Sequence, residues 1–380
     1  MTVPKRLAYL TGTRADFGLM EPILQALAES PVLDLELVVT GMHLSDRFSR
    51  TEREIEESGL PIAARIAVPI DDDSGRGMGL AAGMVTCGMA DYLAERPRDG
   101  LILLGDRGEM LAGATAALFA GVPIIHIAGG ERSGSVDESI RHAISKLAHV
   151  HCVAAEDGVQ RLIGMGEEPW RIHRVGAAGL AGLNELASVP QAELAARYRF
   201  DPAKPFAVLL FHPVVQDADK AGDQWRAIFA ALEPAGVQVL VLMPNADHGT
   251  GAIRAAIDEV IAQGRAIGIA HMPRADYASA LRNAAFLIGN SSSGIIEAAT
   301  FGTPVVNVGD RQHGRLRSAN VFDCPCEVLA IAAAIAEAKN FNASGLVNVY
   351  GEASADRRIC NLLEQLDLAD PTLRKKIMPY

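Results

Sequence analysis

The chain has 380 residues, more than one hydrophobic core usually organises, so two domains of about 150 to 200 residues with a cleft between them are expected. Hydrophobic residues at 49% and charged residues at 21% exclude a disordered chain, and a net charge of −11 excludes a polynucleotide groove built from clustered Lys and Arg. The five cysteines are odd in number and scattered, and no secretory leader is evident, so a reducing, cytoplasmic compartment is expected.

Residues 6–10 form the first aliphatic run and read as a strand, ending in Thr11-Gly12-Thr13-Arg14-Ala15-Asp16-Phe17-Gly18 and a helix from about Leu19. Small residues there let backbone amides face an anion, Gly12 permits close approach, and Arg14 can fork onto phosphate oxygens. The structural alternative pairs Arg14 with Asp16 or another acid. The spacing is neither that of GxGxxG nor that of a Walker A loop. Residues 35–40 give the second strand, and Asp71-Asp72-Asp73 reads as a solvated loop.

Residues 101–104 lead into Gly105-Asp106-Arg107-Gly108-Glu109, which places Asp106 at a carboxyl edge where a base can face a ligand. The same spacing also fits Asp106 as a helix N-cap with Glu109 closing a capping box. Residues 110–128 carry no charge over about the length of a bilayer span, yet Gly121, Pro123 and His126 split them into an Ala-rich helix, a turn and the strand 124–127. Residues 126–142, HIAGGERSGSVDESIRH, then crowd acids and bases into a loop and helix start. His126, His142, His149 and His151 match no zinc spacing, and the Cys324/Cys326 pair has no second ligand pair, so no metal is expected.

The strand 151–154 and an irregular stretch, 175–190, close a first domain assigned to 1–175. The rhythm restarts at 207–211, 238–243, 267–271, 286–289 and 304–308 in a second domain, 176–380, whose last helix can return to the first. Strands apolar on both faces and alternating with helices make parallel sheets, so the fold class is α/β with two Rossmann-like, doubly wound domains. The strand 286–289 runs into Asn290-Ser291-Ser292-Ser293-Gly294-Ile295-Ile296-Glu297, a hydroxyl-rich turn suited to a diphosphate, with Glu297 one turn on in reach of a ribose diol. A plain N-cap explains one of those serines, not three.

TGTRADFG, GDRGEM, GGERSGSVDESIRHAISKLAH, Phe211-His212-Pro213 and GNSSSGIIEA followed by FGTPVVNVGDRQHGR occur in this order over nearly the whole chain. Together they make it similar to the hydrolysing UDP-N-acetylglucosamine 2-epimerases, including those of sialic and legionaminic acid biosynthesis. The resemblance implies a glycosyltransferase B-type fold, a nucleotide held by the second domain, a homodimer and no cofactor. It assigns Arg14, Ser291, Ser292 and Arg311 to the diphosphate, Glu297 to the ribose and His212 to the phosphates beside the leaving oxygen. Asp106 and Asp137 match catalytic carboxylates, with Glu131 and Glu138 in reserve. Arg107, His126, Asn290, Ser293 and Gly294 complete the expected binding set. The implied reaction is anti elimination of the nucleotide diphosphate to a glycal, then hydration to a free manno sugar. Where many members carry a third carboxylate, two residues after His126, this chain has Ala128. A GDP- or UDP-linked N,N'-diacetylbacillosamine is therefore an alternative substrate. A non-hydrolysing epimerase, a glycosyltransferase of the same fold and a sugar-nucleotide sensor stand as rival functions.

Overall fold

The computed structural model describes residues 3–46, 50–70, 72, 74–132, 136–214, 219–244, 250–270 and 272–377, the side chains of Val136 and Asp137 excepted. Asp71, Asp73, His271, residues 133–135 and the Asp137 side chain, all singled out above, lie outside the described residues.

Two compact units divide the chain, Met1–Ala181 with Tyr350–Tyr380, and Gly182–Val349. The first contains β1 (Lys5–Thr11), α1 (Arg14–Glu29), β2 (Leu33–Thr40), α2 (Glu52–Glu57), β3 (Ile62–Ile66), α3 (Gly75–Glu95), β4 (Gly100–Leu104), α4 (Gly108–Ala120), β5 (Ile124–Ile127), α5 (Val136–Leu147), β6 (Val150–Val153), α6 (Glu156–Gly164) and β7 (Ile172–Arg174). The second contains α7 (Leu183–Leu186), α8 (Gln191–Tyr198), β8 (Phe206–Leu210), α9 (Ala221–Leu232), β9 (Gln238–Leu242), α10 (Thr250–Ala262), β10 (Ile267–Ile269), α11 (Arg274–Asn283), β11 (Phe286–Gly289), α12 (Ser292–Ile296), β12 (Val305–Val308), β13 (Val321–Cys324) and α13 (Val328–Lys339). The chain then returns to the first unit with α14 (Ala355–Gln365) and α15 (Pro371–Arg374).

Each unit is a doubly wound parallel α/β sheet, as the strand pattern implied. The sheet orders are β3-β2-β1-β4-β5-β6-β7 and β10-β9-β8-β11-β12-β13. Strand alternation explains the unbroken apolar runs. Leu7 and Tyr9 of β1 join a core with α1 and α14, whereas Ala8 and Leu10 join the opposite core with α3, α4 and α5. In β8, Ala207 and Leu209 pack towards α9, α10 and α13, and Phe206 and Val208 towards α8 and α11.

The uncharged run 110–128 resolves into α4, a left-handed Gly121 and β5, and no helix among the described residues is long and apolar enough to cross a membrane. α4 sits close to the sheet because Gly113 leaves room for Leu10, whose Cδ2 would stand 2.6 Å from an added Cβ.

Strand order reverses between β1 and β4 in the first sheet and between β8 and β11 in the second. Loops leaving the carboxyl ends of such strand pairs diverge and open a crevice, which is where ligands of doubly wound sheets bind. The residues following these four strands are Gly12 to Arg14, Gly105 to Arg107, Phe211 to Pro213, and Asn290 to Ser292.

Candidate active site

At the end of β1 the loop is shaped by its own acid. Thr13 is the N-cap of α1 and forms a capping box with Asp16. The Asp16 carboxylate accepts from Gly12 N at 3.1 Å, Thr13 N at 2.9 Å, Thr13 Oγ1 at 3.1 Å and Thr11 Oγ1. Burial raises its pKa to about 6 while these donors pull the other way. The loop amides expected to face a phosphate are thus occupied by an internal anion. What this loop offers outward is Arg14, half-exposed and 2.9 Å from Glu54.

Beyond β4 the capping-box alternative does not hold. Arg107, not Asp106, is the N-cap of α4, and it makes no side-chain cap. The Asp106 carboxylate instead pairs with Arg141 of α5, a guanidinium almost wholly buried. Arg141 also donates to the Ala128 carbonyl at 2.7 Å and lies 3.8 Å from Glu131. One buried cation therefore gathers two carboxylates and the loop after β5, and holds the left-handed backbone at Ala128 (φ 61°) in place. Glu138, on the first turn of α5, stands 3.5 Å from His142. Asp137 lies four residues before Arg141 on the same helix, one turn away. Glu109 packs against Gly12 and Gly41 and holds Arg107 at 3.3 Å.

His126, expected as a substrate contact, has both ring nitrogens engaged within the protein. It is fully buried, with Nε2 2.7 Å from the Gly105 carbonyl and Nδ1 3.1 Å from Ser145 Oγ, and burial pushes its pKa down to about 3. A neutral imidazole there pins the turn carrying Asp106 to α5.

In the second unit Asn290 is likewise a clamp. Its buried amide accepts from His212 N and donates to His212 O, both at 2.8 Å, which fixes the backbone two residues beyond β8. Arg311 Nη1 at 3.0 Å and Gln312 Nε2 at 2.9 Å donate to the Asn290 carbonyl. Gly294 is buried because α12 packs closely on the sheet, where a Cβ would meet Val305 at 2.8 Å. Ser291 is the N-cap of α12, and Ser291 and Ser292 keep partial exposure.

Ser293 Oγ donates to Glu297 Oε2 at 2.8 Å and is 2.6 Å from Tyr277 Oη, while Arg274 stands 3.2 Å from Glu297. This polar row borders a cavity of about 290 Å³ whose other walls include Leu210, Met243, Ile269 and Met272. An apolar cup ending in a carboxylate, a guanidinium and two hydroxyls suits a planar base joined to a diol.

Sequence reasoning missed Arg141, Asp16, Arg274 and Tyr277. Arg141 left a signal in positions 137, 141 and 145, which recur at helical spacing on one face of α5, and Asp16 left one in the capping-box spacing from Thr13.

A family model described as UDP-N-acetylglucosamine 2-epimerase matches residues 25–364. The "UDP-N,N'-diacetylbacillosamine 2-epimerase (hydrolyzing)" of Legionella pneumophila is 41% identical over 98% of this chain and 98% of its own length. The UDP-N-acetylglucosamine 2-epimerase of Neisseria meningitidis is 34% identical over 88% of this chain and 87% of its own. Among solved structures, a Neisseria meningitidis UDP-GlcNAc 2-epimerase bound to UDP-GlcNAc superposes with a TM-score of 0.74 at 14% identity, covering 94% of this chain and 99% of that one.

Proposed function

From the premise that the chain belongs to the UDP-N-acetylglucosamine 2-epimerase family, we propose that it is a cytoplasmic, hydrolysing 2-epimerase of a UDP-linked 2-acetamido sugar. The observation that carries this reading is the cluster beyond β4 and β5, where Asp106 and Glu131 share Arg141 and Glu138 lies on the same helix. The C2 hydrogen of such a sugar is weakly acidic, so its removal needs a positioned carboxylate. A glycosyltransferase acting only at C1 has no use for several of them.

In the proposed reaction one carboxylate takes the C2 proton. The C2–H electron pair becomes the C1=C2 bond, and the C1–O bond to the diphosphate breaks. Water then adds its hydroxyl to C1 as a second carboxylic acid delivers its proton to C2 from the opposite face. The proton released by the water returns to that second carboxylate, and the first carboxylic acid gives the abstracted proton to solvent. Asp106 and Asp137 are proposed for these two steps, with Glu131 and Glu138 as alternates. Arg14, Arg107, Ser291, Ser292, Arg311 and His212 are proposed to take up the charge moving onto the departing diphosphate. Glu297, aligned by Arg274 and Ser293, is proposed for the ribose diol.

The sugar proposed is the 2,4-diacetamido-2,4,6-trideoxy type. Its support is the 41% identical Legionella pneumophila relative and the absence, at Ala128, of a side chain beyond a methyl. UDP-N-acetylglucosamine is the second reading, supported by the Neisseria meningitidis relative. A free manno-configured product suits condensation towards nine-carbon acids of the sialic and legionaminic kind.

Incubating the enzyme separately with both UDP sugars and the GDP-linked diacetamido sugar in D₂O, followed by NMR, tests the reading. Free UDP and a free 2-epimer deuterated at C2 are expected. A lasting mixture of two sugar nucleotides identifies a non-hydrolysing epimerase, and turnover only with an added acceptor identifies a transferase.

A homodimer belongs to the same reading. It is supported by exposed apolar residues on α3 and α4, Met78 (63%), Leu80 (49%), Met84 (46%) and Phe119 (86%), and by residues 77–90, which carry no charge. Sedimentation of Met84→Glu is expected to give a monomer from a dimeric parent, and a parent that sediments as a monomer overturns the reading.

A further inference from the structure

The helix that carries the candidate reaction centre is held at its far end by a segment more than 220 residues away in sequence. The last turn of α5 leaves carbonyls with no partner inside the helix, and they carry partial negative charge. The Lys376 ammonium fills this end, with Nζ 2.9 Å from the Ser145 carbonyl, 2.8 Å from Lys146 O and 2.6 Å from Ala148 O. Its fourth acceptor is Glu167, at 2.7 Å, a fully buried carboxylate that also receives Lys146 at 2.6 Å and His151 at 3.0 Å.

The segment bearing Lys376 is itself seated from below. Arg171, fully buried, donates to the Thr372, Leu373 and Lys375 carbonyls at 3.1, 2.8 and 2.8 Å, and Leu373 sits in the core. Ser145, Lys146, Ala148 and Glu167, which receive Lys376, are none of the residues proposed to touch substrate. Yet Ser145, whose carbonyl Lys376 holds, bonds His126, which holds Gly105 beside Asp106, and Arg141 one turn earlier bonds Asp106 itself.

We propose that the segment 371–377 is a positioning element for the reaction centre, acting through Lys376 on the C-terminal end of α5 and thereby on Arg141 and Asp106. The step from helix to catalysis rests on the reading given under Proposed function. The step from Lys376 to helix does not.

The test uses the full chain with Lys376→Met, which keeps the apolar stem and removes the charge, and with Lys375→Ala as a neighbour whose side chain is exposed. Amide hydrogen exchange in residues 140–148 is expected to rise about tenfold in Lys376→Met and to stay unchanged in Lys375→Ala. Turnover of the UDP sugar is expected to fall about tenfold with KM changed less than about twofold, because nucleotide contacts in the second unit are untouched. Added propylammonium is expected to restore part of the turnover of Lys376→Ala by refilling the cation's place. Unchanged exchange in α5 overturns the proposal whatever the substrate, as does a turnover loss that vanishes when corrected for the folded fraction. A parent enzyme that turns over no UDP sugar defeats the functional reading, and the exchange measurement still decides the role of Lys376.

Discussion

Arg141 bonds two acceptors and stands within ion-pair reach of a third group, and each is a different kind of constraint: Asp106 is a candidate base, the Ala128 carbonyl sets a left-handed backbone, and Glu131, 3.8 Å away, is a reserve acid. Replacing Arg141 by Gln keeps one donor and removes the charge, so Asp106 loses its partner and its direction. Turnover is expected to fall at least about 100-fold while UDP affinity, measured by calorimetry, stays within about twofold. Asp106→Asn is expected to behave alike if the carboxylate itself does the proton transfer, and near-wild-type turnover in both variants would remove this pair from the mechanism. In the second unit Glu297 has the opposite profile. It meets Ser293 and Arg274 beside the cavity, so Glu297→Ala is expected to weaken UDP binding about 10- to 150-fold, a loss of about 1.5 to 3 kcal/mol for a charged contact. Unchanged UDP affinity would place the nucleoside elsewhere.

At the scale of elements, the turn after β11 depends on one glycine. Gly289 has φ 138°, and a Cβ there would collide with the Leu210 carbonyl of the neighbouring strand. Gly289→Ala is expected to cost about 2 kcal/mol or more, read as a shift in the denaturant midpoint, and to disturb the His212–Asn290 clamp that follows both strands. A midpoint equal to wild type would show that the backbone relaxes.

The same elements show what a sequence displays and what it hides. β4, β5, β8 and β11 were legible because both faces are buried, which writes an unbroken apolar run. β3, β7 and β13 were not, because they are sheet edges whose residues are mostly half-exposed, whereas β10, also an edge, was read from its two isoleucines. Motif positions such as Asp106 and Ser291 were legible because special residues follow a strand end. The order reversals that select these strand ends from all the others come from long-range pairing, which no local pattern records. Asn290 and His126 were legible as special but not as buried, since the same donors and acceptors serve a ligand or a neighbouring backbone.

For the molecule as a whole, the two units carry different acid sensitivities. His43, His126, His149, His151 and His173 all belong to the first unit, and burial holds every one below the ordinary imidazole value, to about 4, about 3 and about 4 for the first three. With a folded pKa below the unfolded 6.5, the unfolded chain binds more protons between the two values. The first unit therefore loses stability as pH falls through 6.5. Asp16 opposes this, because its folded pKa of about 6 lies above the unfolded 3.8 and makes the folded state the better proton acceptor between them. One carboxyl does not offset His43, His126 and His149, each contributing on the order of 3 kcal/mol across its full interval, with His151 and His173 acting in the same direction. Glu167, held down to about 2 with His151, Lys146 and Lys376 bonded to it, adds a further loss below its unfolded 4.5. The molecule supplies a reporter for each unit: Trp170 in the first and the buried Trp225 in the second, its only two tryptophans. Urea unfolding of Trp225→Phe, which reports on the first unit through Trp170, is expected to move to lower midpoints from pH 7 to pH 5. Trp170→Phe, which reports on the second unit, is expected to move less. A Trp170 midpoint that stays level over this range would show that the imidazoles are already hydrated or paired in the folded state, and the buried neutral set would have to be abandoned.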